Sequence, residues 1–438
     1  MTNEKINTNY FQREIETASR KEIRQIQDNG LVDVVKRVYK NVPYYRNKML
    51  EMGITPDDIH GVKDLYKLPF TTKDDLRKTY PDGLLATDLS DCVRVHSTSG
   101  TTGKRVVSYY TENDITMWEK CCARALTASG ATKDDVIQIS FGYGLFTGGA
   151  GFHGGSHRIG ALTLPMSSGN TDRQLRFMED LKTTVLCCTP SYAAYLAEIV
   201  DERALADRLK LRIGIFGAEA WSEEMRADIE DKLHIKAFDI YGLTEISGPG
   251  VAYQCSDRSG LHINEDNFIA EIIDPETEEP LPVGEKGELV FTSFTKEAFP
   301  LIRYRTRDIC ILSDDPCVCG RTFVKMSKPM GRSDDMLIVK GVNVFPSQIE
   351  TVLINEGYPA YYQIIITREN NSDKLELQVE MTKEMFSDEM SAMAKNQKHL
   401  VSALKSMLGI HVDVKLVTPK SLKRSDGKSK RVIDKRHI

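Results

Sequence analysis

The chain carries a nine-residue stretch, His96–Lys104, whose residue types suit the binding of phosphate groups. Its glycines let backbone N–H groups turn toward one point, its hydroxyls add donors, and Lys104 adds a positive charge. The stretch is not the P-loop of nucleoside triphosphatases, because that loop has four residues between its first glycine and the Gly-Lys pair. Here only two threonines lie between Gly100 and Gly103. Taken alone, the pattern fits a flexible surface loop equally well.

Two further stretches carry groups that suit a nucleotide. Asp239–Glu245 follows a predicted strand and exposes a glycine, a hydroxyl and a carboxylate. Tyr241 offers a flat face for a purine, and Glu245 is a suitable ligand for Mg²⁺ carried on phosphates. Tyr304–Asp308 places a lone carboxylate after a basic run, where it can accept ribose hydroxyls.

A glycine-hinged basic loop lies near the C-terminus, at residues 424–431. Such a loop can carry a lysine into a site formed elsewhere in the chain. We expect that lysine to be Lys428, with Lys430 as the alternative.

Three cysteines and a histidine have the spacing of a zinc site. Cys255 and His262 form one half, and Cys317 and Cys319 form the other. Closely spaced thiolates and imidazoles are the usual zinc ligands, and four of them leave no open position, so the zinc would be structural. The alternative is a set of ordinary reduced cysteines.

The composition is that of a water-soluble globular protein. The 438 residues exceed what one hydrophobic core usually serves, so we expect at least two domains. A net charge of −5 argues against binding to nucleic acid or acidic membranes. The N-terminus lacks the apolar core of a signal peptide, and no apolar run approaches the ~20 residues of a membrane helix. We therefore expect a cytoplasmic protein.

The middle of the chain alternates short β-branched runs with amphipathic patterns, after a helical region at residues 8–60. This alternation predicts βαβ units in a largely parallel sheet, with ligands bound where loops leave the carboxyl ends of strands. The predicted strands are 106–109, 136–140, 161–164, 184–188, 211–215 and 237–240, and the predicted helices are 113–129, 172–181, 191–209 and 222–233.

After about residue 260 the pattern favours antiparallel strands, and a smaller unit closes the chain. Its predicted elements are strands 361–367 and 374–380, a helix at 387–407 and a last strand at 411–417. We predict an α/β fold with two domains. Residues 1–331 form a large domain of mostly parallel sheets with flanking helices and a β subdomain, and residues 332–438 form a small mobile α+β domain.

In their order along the chain, these motifs resemble those of the adenylate-forming enzymes, and most closely the phenylacetate–CoA ligase family. Three passages carry the closer resemblance: residues 141–149, 217–221 and 331–346. The resemblance runs from about residue 35 to the end. One departure is Arg105, which stands where the family usually has proline after the lysine of the phosphate loop.

The resemblance implies a reaction in two steps. An aryl carboxylate, most simply phenylacetate, attacks the α-phosphate of ATP and releases pyrophosphate, and the thiol of coenzyme A then displaces AMP. It implies catalytic roles for Lys428, Thr244 and Glu245, with Mg²⁺ on Glu245. It implies nucleotide and CoA contacts for Ser99, Gly100, Thr101, Thr102, Gly103, Lys104, Ala218, Glu219, Asp239, Tyr241, Gly242, Thr244, Asp308, Arg332, Lys340 and Gly341.

The resemblance also implies an aryl pocket and a hinge. The pocket residues are Tyr143, Phe146, Gly217, Ala218 and Ile240, and Asp334 is the pivot of the small domain. Two aromatic side chains facing small residues make a flat slot that suits an aromatic ring. The alternative for both aromatics is simple core packing.

We therefore expect a phenylacetate–CoA ligase of phenylacetate catabolism that forms a homodimer and whose partners are small molecules. The rival within the class activates another aryl acid or uses an acceptor other than CoA. A rival of another class is a non-catalytic nucleotide-binding homologue.

Overall fold

The computed structural model describes residues 9–98, 106–333, 337–339, 342–369, 372–382, 385, 390–423 and 431–435. The chain forms two compact units. The first comprises Met1–Ala220 and Ile229–Pro329, and the second comprises Trp221–Asp228 and Met330–Ile438. None of the helices in the described part of the chain combines the length and apolarity that a membrane crossing requires.

Several helices begin after hydroxyl-bearing residues that cap their free N–H groups. Ser19, Thr72 and Thr111 each form a capping box, and Thr189 accepts from the N–H of Tyr192. The helices up to residue 233 are α1 (Arg13–Glu16), α2 (Arg20–Asn41), α3 (Pro43–Glu51), α4 (Lys73–Lys78), α5 (Glu112–Ala128), α6 (Thr147–Ile159), α7 (Thr171–Asp180), α8 (Pro190–Glu202) and α9 (Glu223–Leu233).

The helix predicted over 191–209 is wrong at its C-terminus. Helix α8 ends at Glu202, and only a 3₁₀ turn at Ala206–Arg208 follows. Ala204 has a φ of +50°, and a left-handed residue at this position stops a helix. The apolar spacing alone does not reveal this stop.

Eleven strands form one mixed sheet in the first unit. They are β3 (Val136–Ile139), β4 (Leu162–Leu164), β5 (Val185–Cys188), β6 (Ile213–Gly217), β7 (Lys236–Leu243), β8 (Gly248–Gln254), β9 (Leu261–Ile263), β10 (Phe268–Ile273), β11 (Lys286–Ser293), β12 (Tyr304–Ser313) and β13 (Lys325–Met326). Their order is β10-β11-β12-β13-β9-β8-β7-β6-β5-β3-β4. The α/β class is therefore confirmed.

The five strands from β3 to β7 pair in parallel, as the alternation predicted. Antiparallel pairing begins with β8, directly after β7, and so earlier than residue 260. The turn between β7 and β8 is too short for the crossover that parallel strands need, so these two strands can only be antiparallel.

The predicted phosphate loop lies, in sequence, between the two strands of an antiparallel hairpin and not within a βαβ unit. Strands β1 (Cys92–Ser97) and β2 (Val107–Thr111) pair with each other in a separate two-stranded sheet. Next to the loop, the N–H of Thr98 donates to the carbonyl of Val106 at 3.0 Å. The expectation that this strand belongs to the parallel sheet is therefore wrong.

The second unit is α+β, as predicted. Its elements are β14 (Leu337–Val339), β15 (Val342–Val344), α10 (Pro346–Asn355), β16 (Tyr362–Glu369), β17 (Ser372–Glu380), α11 (Met390–Leu408), β18 (Asp413–Val417) and β19 (Val432–Asp434). Four of the strands form a sheet in the order β18-β17-β16-β19. The prediction that β18 is the last strand is wrong, because β19 follows it and pairs in parallel with β16. Val432 and Ile433 are the only apolar residues of β19 and lie beside a basic run, and so short an apolar pair does not predict a strand.

Candidate active site and metal centre

The end of strand β7 carries the predicted nucleotide motif. A bulge interrupts the pairing of β7 with β8 between Tyr241 and Gly242. A Cβ atom on Gly242 would lie 1.8 Å from the carbonyl oxygen of Gly248, so only glycine fits this turn. The bulge presents Thr244 and Glu245 in the connection to β8, both buried.

The two predicted nucleotide motifs meet through one hydrogen bond. The Tyr241 hydroxyl donates to Asp308 Oδ2 at 2.6 Å, across 67 residues of sequence. A second bulge, between β11 and β12, lies beside Asp308, where the Thr306 hydroxyl donates to the carbonyl of Leu289 at 2.7 Å. Burial and the Asp308 carboxylate raise the pKa of Tyr241 well above its usual range. Tyr241 therefore stays a hydrogen-bond donor to Asp308.

The arginines next to Asp308 are engaged elsewhere. Arg305 forms a buried, two-pronged ion pair with Glu288 at 3.0 and 2.8 Å. Arg307, which directly precedes Asp308, lies 3.4 Å from Glu288 Oε2, and Arg303, before the run, pairs with Glu271 at 3.1 Å. The interpretation of Asp308 as an acid set among cations therefore needs correction, since these cations are neutralised by glutamates of the same sheet.

Lysines that the sequence did not single out face the site acids. Lys73, the first residue of α4, lies 3.2 Å from Glu245 Oε1. Lys328 lies 3.1 Å from Asp239 Oδ2. The sequence around Lys73 indicated only a helix start, and nothing near Lys328 indicated a function. Thr244 Oγ1 lies 3.2 Å from Thr147 Oγ1, at the first residue of α6.

The predicted pocket residues lie around the carboxyl ends of β6 and β7. Gly217 pairs with Ile240, and a Cβ on Gly217 would lie 2.3 Å from the Ile240 carbonyl oxygen. Tyr143 and Phe146 pack against the core cluster that contains Ile240. The Tyr143 hydroxyl lies 3.3 Å from His153 Nδ1, and burial raises the pKa of Tyr143. His153 therefore lies beside a predicted pocket residue.

Ala218 and Glu219 follow β6 in a constrained turn. Ala218 has a φ of +71°, a conformation that a residue with a Cβ rarely adopts and that is concentrated at functional sites. The Ser191 hydroxyl donates to Glu219 Oε2 at 2.5 Å. Both residues thus sit at a strand end, as their predicted role in nucleotide binding requires.

Several predicted site residues lie outside the described residues. They are Ser99, Gly100, Thr101, Thr102, Gly103, Lys104, Asp334, Lys340, Gly341, Lys428 and the alternative Lys430. Arg332 is described and lies half-buried in the second unit.

The predicted cysteine and histidine residues form one cluster. The ligand atoms of Cys255, His262, Cys317 and Cys319 all lie within 4.8 Å of one another. Cys319 Sγ is 3.5 Å from His262 Nε2, and His262 Nδ1 donates to the carbonyl of Phe323 at 3.2 Å. This second contact holds the ring with Nε2 toward the thiols.

The thiols of the cluster lie in direct contact with one another. Cys255 Sγ and Cys317 Sγ are 3.6 Å apart. Hydrogen bonds from Cys255 and then Cys317 hold the pKa of Cys319 far below its usual range. All nine cysteines are free. The prediction that these four side chains converge is confirmed.

Comparisons with known proteins match both parts of the chain. The AMP-binding enzyme family matches residues 32–294, and the AMP-binding enzyme C-terminal domain matches residues 341–436. The phenylacetate–coenzyme A ligase of Thermus thermophilus is 43% identical over 97% of this chain and 99% of its own. The chain belongs to the phenylacetate–CoA ligase family. The Escherichia coli member of this family is 44% identical over 97% of both chains.

A solved structure supports the same relationship. The crystal structure of 2-hydroxyisobutyryl-CoA ligase, in the postadenylation state in complex with R3-HIB-AMP, matches with a TM-score of 0.89 and 26% identity. The match covers 97% of this chain and 92% of the other. The resemblance to phenylacetate–CoA ligases that the sequence motifs indicated is therefore confirmed over nearly the whole chain.

Proposed function

We propose that the protein joins phenylacetate to coenzyme A, using ATP and passing through an acyl-adenylate. The observation that carries the proposal is the hydrogen bond between Tyr241 and Asp308, because it joins two motifs with nucleotide-binding chemistry at one strand end. The ligands of sheets of this kind bind at the carboxyl ends of their strands. The near full-length match to phenylacetate–CoA ligases supports the choice of acid and acceptor.

In this proposal the described residues hold the adenosine half of ATP. The Tyr241 ring lines the adenine, and its hydroxyl orients Asp308 for the ribose hydroxyls. The Thr244 hydroxyl contacts the α-phosphate. The remaining residues proposed to line the nucleotide are Ala218, Glu219, Asp239 and Gly242.

The first step brings two anions together, so it depends on positioning and on positive charge. The carboxylate oxygen forms a bond to the α-phosphorus, and the bond to pyrophosphate breaks. Glu245 would hold a Mg²⁺ ion bound to the phosphates, and the ion supplies charge neutralisation. A buried carboxylate that already faces a cation, Lys73, suits that role. The hydroxyl-glycine loop (Ser99 to Lys104) would grip the leaving pyrophosphate, and Lys428 would bridge the two reacting anions.

The second step forms the thioester. The CoA sulfur forms a bond to the acyl carbon, and the bond between that carbon and AMP breaks. We propose that Asp334 is the pivot of the small domain between the two steps and that Arg332 contacts a phosphate. Lys340 and Gly341 would belong to the loop that is presented to the thiol.

The aryl group would lie against Tyr143 and Phe146, opposite the Gly217–Ile240 edge. The close approach of these two strands leaves no room for a side chain at residue 217. A flat slot between aromatic rings and a bare strand edge favours a flat ring.

The function is tested by pyrophosphate release over a panel of aryl acids, with and without CoA. We expect release with phenylacetate, and thioester formation only when CoA is present. Pyrophosphate release without thioester would favour another acceptor. If no acid causes pyrophosphate release, the proposal of an enzyme is refuted, and the alternative of a non-catalytic nucleotide-binding homologue is favoured.

The role of Lys428 is tested by separating the two steps. We expect Lys428→Ala to abolish adenylation and to spare thioester formation from supplied phenylacetyl-adenylate. Lys430→Ala is the matched control, since it removes a lysine from the same basic loop. Equal loss of both steps in Lys428→Ala would contradict the assignment.

We also propose that the cysteine–histidine cluster (Cys255, His262, Cys317 and Cys319) holds a structural zinc ion. Three thiols and an imidazole with mutually close ligand atoms are a typical set for zinc. The hydrogen bond from His262 Nδ1 to a backbone carbonyl is the outer contact that such a ligand usually makes. Elemental analysis of the purified protein should give about one zinc per chain, and a value near zero would refute the site.

We further propose that the enzyme works in the cytoplasm as a homodimer. Nine free cysteines suit a reducing compartment. Light scattering of the purified protein at several concentrations tests the dimer, and a monomer mass throughout would refute it.

A further inference from the structure

A lysine side chain lies fully buried behind the candidate active site. Lys296, in the connection from β11 to β12, has no exposed surface. Its ammonium donates to the Ser108 hydroxyl at 2.5 Å and to the carbonyl of Ile246 at 3.0 Å, and lies 4.2 Å from the centre of the Tyr110 ring. Among the described residues it forms an ion pair with no carboxylate. Burying an ammonium that forms no direct ion pair is costly, so its hydrogen bonds and the charges around it matter.

The two hydrogen bonds connect two elements of the nucleotide site. Ser108 lies on β2 opposite His96, close to the end of the hairpin from which the hydroxyl-glycine loop extends. Ile246 directly follows Thr244 and Glu245. One cation therefore fixes the base of the predicted phosphate loop and the turn that presents the predicted Mg²⁺ ligand.

The backbone around Lys296 is held firmly in place. Arg37 donates to its carbonyl oxygen at 2.7 Å. The N–H groups of Glu297 and Ala298 donate to the Asp114 carboxylate at 2.6 and 3.0 Å. These contacts fix the backbone of residues 296–298, and therefore the position from which the Lys296 side chain extends.

The charges near Lys296 keep its ammonium charged at neutral pH. Burial lowers its pKa to about 8, while the nearby carboxylates of Asp114 and Glu245 favour the charged form. Asp114 is occupied by backbone N–H groups, and Glu245 pairs with Lys73. Within the described part of the chain, the direct partners of both carboxylates are thus groups other than the Lys296 ammonium.

We propose that Lys296 is a positioning residue for ATP. It holds the phosphate-loop hairpin against the Thr244–Glu245 turn through its bonds to Ser108 and Ile246, and ATP is the ligand proposed to bind at these two elements. The inference rests on the proposed function, because it takes ATP to be the anion that occupies this site.

The test is Lys296→Met in the full-length protein, a change that keeps the length of the side chain and removes its charge. We expect KM for ATP with Mg²⁺ to rise about tenfold or more, while KM for phenylacetate changes less than about twofold. The rise in Tm that saturating ATP with Mg²⁺ gives to the wild type should shrink in the variant.

Two further variants serve as a control and as an independent test of the same contact. Lys325→Met is the matched control, because Lys325 is also buried and donates to a serine hydroxyl, Ser259 at 3.2 Å, but contacts neither site element. It should leave KM for ATP unchanged. Ser108→Ala, which removes one of the two bonds, should raise KM for ATP to a smaller extent, and it covers the case in which Lys296→Met does not fold.

Two outcomes would overturn the inference. One is a wild-type KM for ATP in both Lys296→Met and Ser108→Ala. The other is an equal rise in both KM values with a lower Tm of the ligand-free protein, which would show a purely structural role. Calorimetry of ATP with Mg²⁺, without acid, separates the two proposals. A wild type that binds ATP but activates no aryl acid refutes the proposed function alone, whereas equal ATP binding by wild type and Lys296→Met refutes the role of Lys296.

Discussion

At the scale of single residues, buried polar contacts between distant parts of the chain hold the candidate site together. Tyr241 fixes Asp308, and Lys73 faces Glu245. A buried polar group that loses its partner is destabilised by its full desolvation penalty, so these pairs hold their geometry before any ligand arrives. Preorganisation of this kind is what positioning of a nucleotide requires.

We predict that Asp308→Asn weakens ATP binding. The amide no longer offers a charged acceptor to the ribose, and a hydrogen bond to a charged group contributes roughly 1.5–3 kcal/mol. KM for ATP should therefore rise about tenfold or more, with KM for phenylacetate nearly unchanged. Asp315→Asn, at an exposed site after the same strand, is the control. Steady-state kinetics measure both constants, and an unchanged KM for ATP in Asp308→Asn would contradict the ribose role.

A second prediction concerns His96, which is 2% exposed and lies edge-on to Tyr110 and Trp118. Its Nδ1 donates to the Leu145 carbonyl at 3.2 Å, and its Nε2 has no hydrogen-bond partner among the described residues. Burial lowers the pKa of His96 to about 4, and the charges of Arg94 and Lys296 add to the effect.

Because the unfolded chain protonates His96 near pH 6.5 and the folded chain only near pH 4, its contribution to stability is present above pH 6.5 and is lost as the pH falls toward 4. The difference corresponds to roughly 3 kcal/mol. Urea unfolding at pH 7 and pH 5 should therefore show a larger loss of stability for the wild type than for His96→Phe. Parallel losses in the two proteins would mean that His96 is protonated in the folded state.

Among single residues, the sequence predicts those that belong to a short motif with a recognisable chemistry. The four cluster residues have the predicted neighbours, whereas the hydrogen bond between Tyr241 and Asp308 joins two predicted motifs whose contact the sequence did not predict. Lys73, Lys328 and Lys296 were not found, because their partners come from other parts of the chain. Lys296 and Ser108, for example, are 188 residues apart.

At the scale of elements, two bulges and one hairpin place the site. The bulges after Tyr241 and beside Asp308 direct both side chains to one point. The hairpin β1–β2 carries the predicted phosphate loop outside the main sheet. The periodicity of apolar residues predicted the parallel strands well, because those strands are buried on both faces. It could not predict the hairpin pairing, which depends on contacts with the rest of the fold.

We predict that Gly242→Ala disrupts the β7–β8 turn. Its Cβ would lie 1.8 Å from the backbone oxygen of Gly248, so one of the strands has to move. The free energy of unfolding should fall by about 1–3 kcal/mol or more. Gly142→Ala is the matched control, since its Cβ would meet only the Ser168 hydroxyl at 3.7 Å. Chemical denaturation measures both, and equal stability of the two variants would contradict the crowded turn.

At the scale of the whole molecule, the cysteine–histidine cluster connects the sheet to the start of the described chain. Tyr10 donates to the Cys319 carbonyl at 2.7 Å, and Arg321 pairs with Glu16 at 2.8 Å, both side chains of that pair being fully buried. Gly320, which follows Cys319, has a φ of +82°, and a Cβ there would lie 2.5 Å from the Tyr10 hydroxyl, so both the backbone and the contact favour glycine. The sequence predicted the cluster but not the segment it anchors, because Glu16 gave no signal of burial.

We predict that loss of the proposed zinc releases this N-terminal segment. Cys255→Ser should lose the metal, lower Tm by several degrees and expose residues 9–19 to limited proteolysis. Cys310→Ser is the matched control, because Cys310 is equally buried but lies outside the cluster. Cleavage sites are located by mass spectrometry. Retention of zinc, or full protection of the segment without it, would contradict the anchoring role.

The proposed function requires that this site activates an aryl acid as its adenylate before CoA takes part. The most direct measurement is the exchange of labelled pyrophosphate into ATP in the absence of CoA. We expect exchange that depends on phenylacetate and Mg²⁺, and its loss in Lys428→Ala. Thioester formation without any acid-dependent exchange would contradict the account.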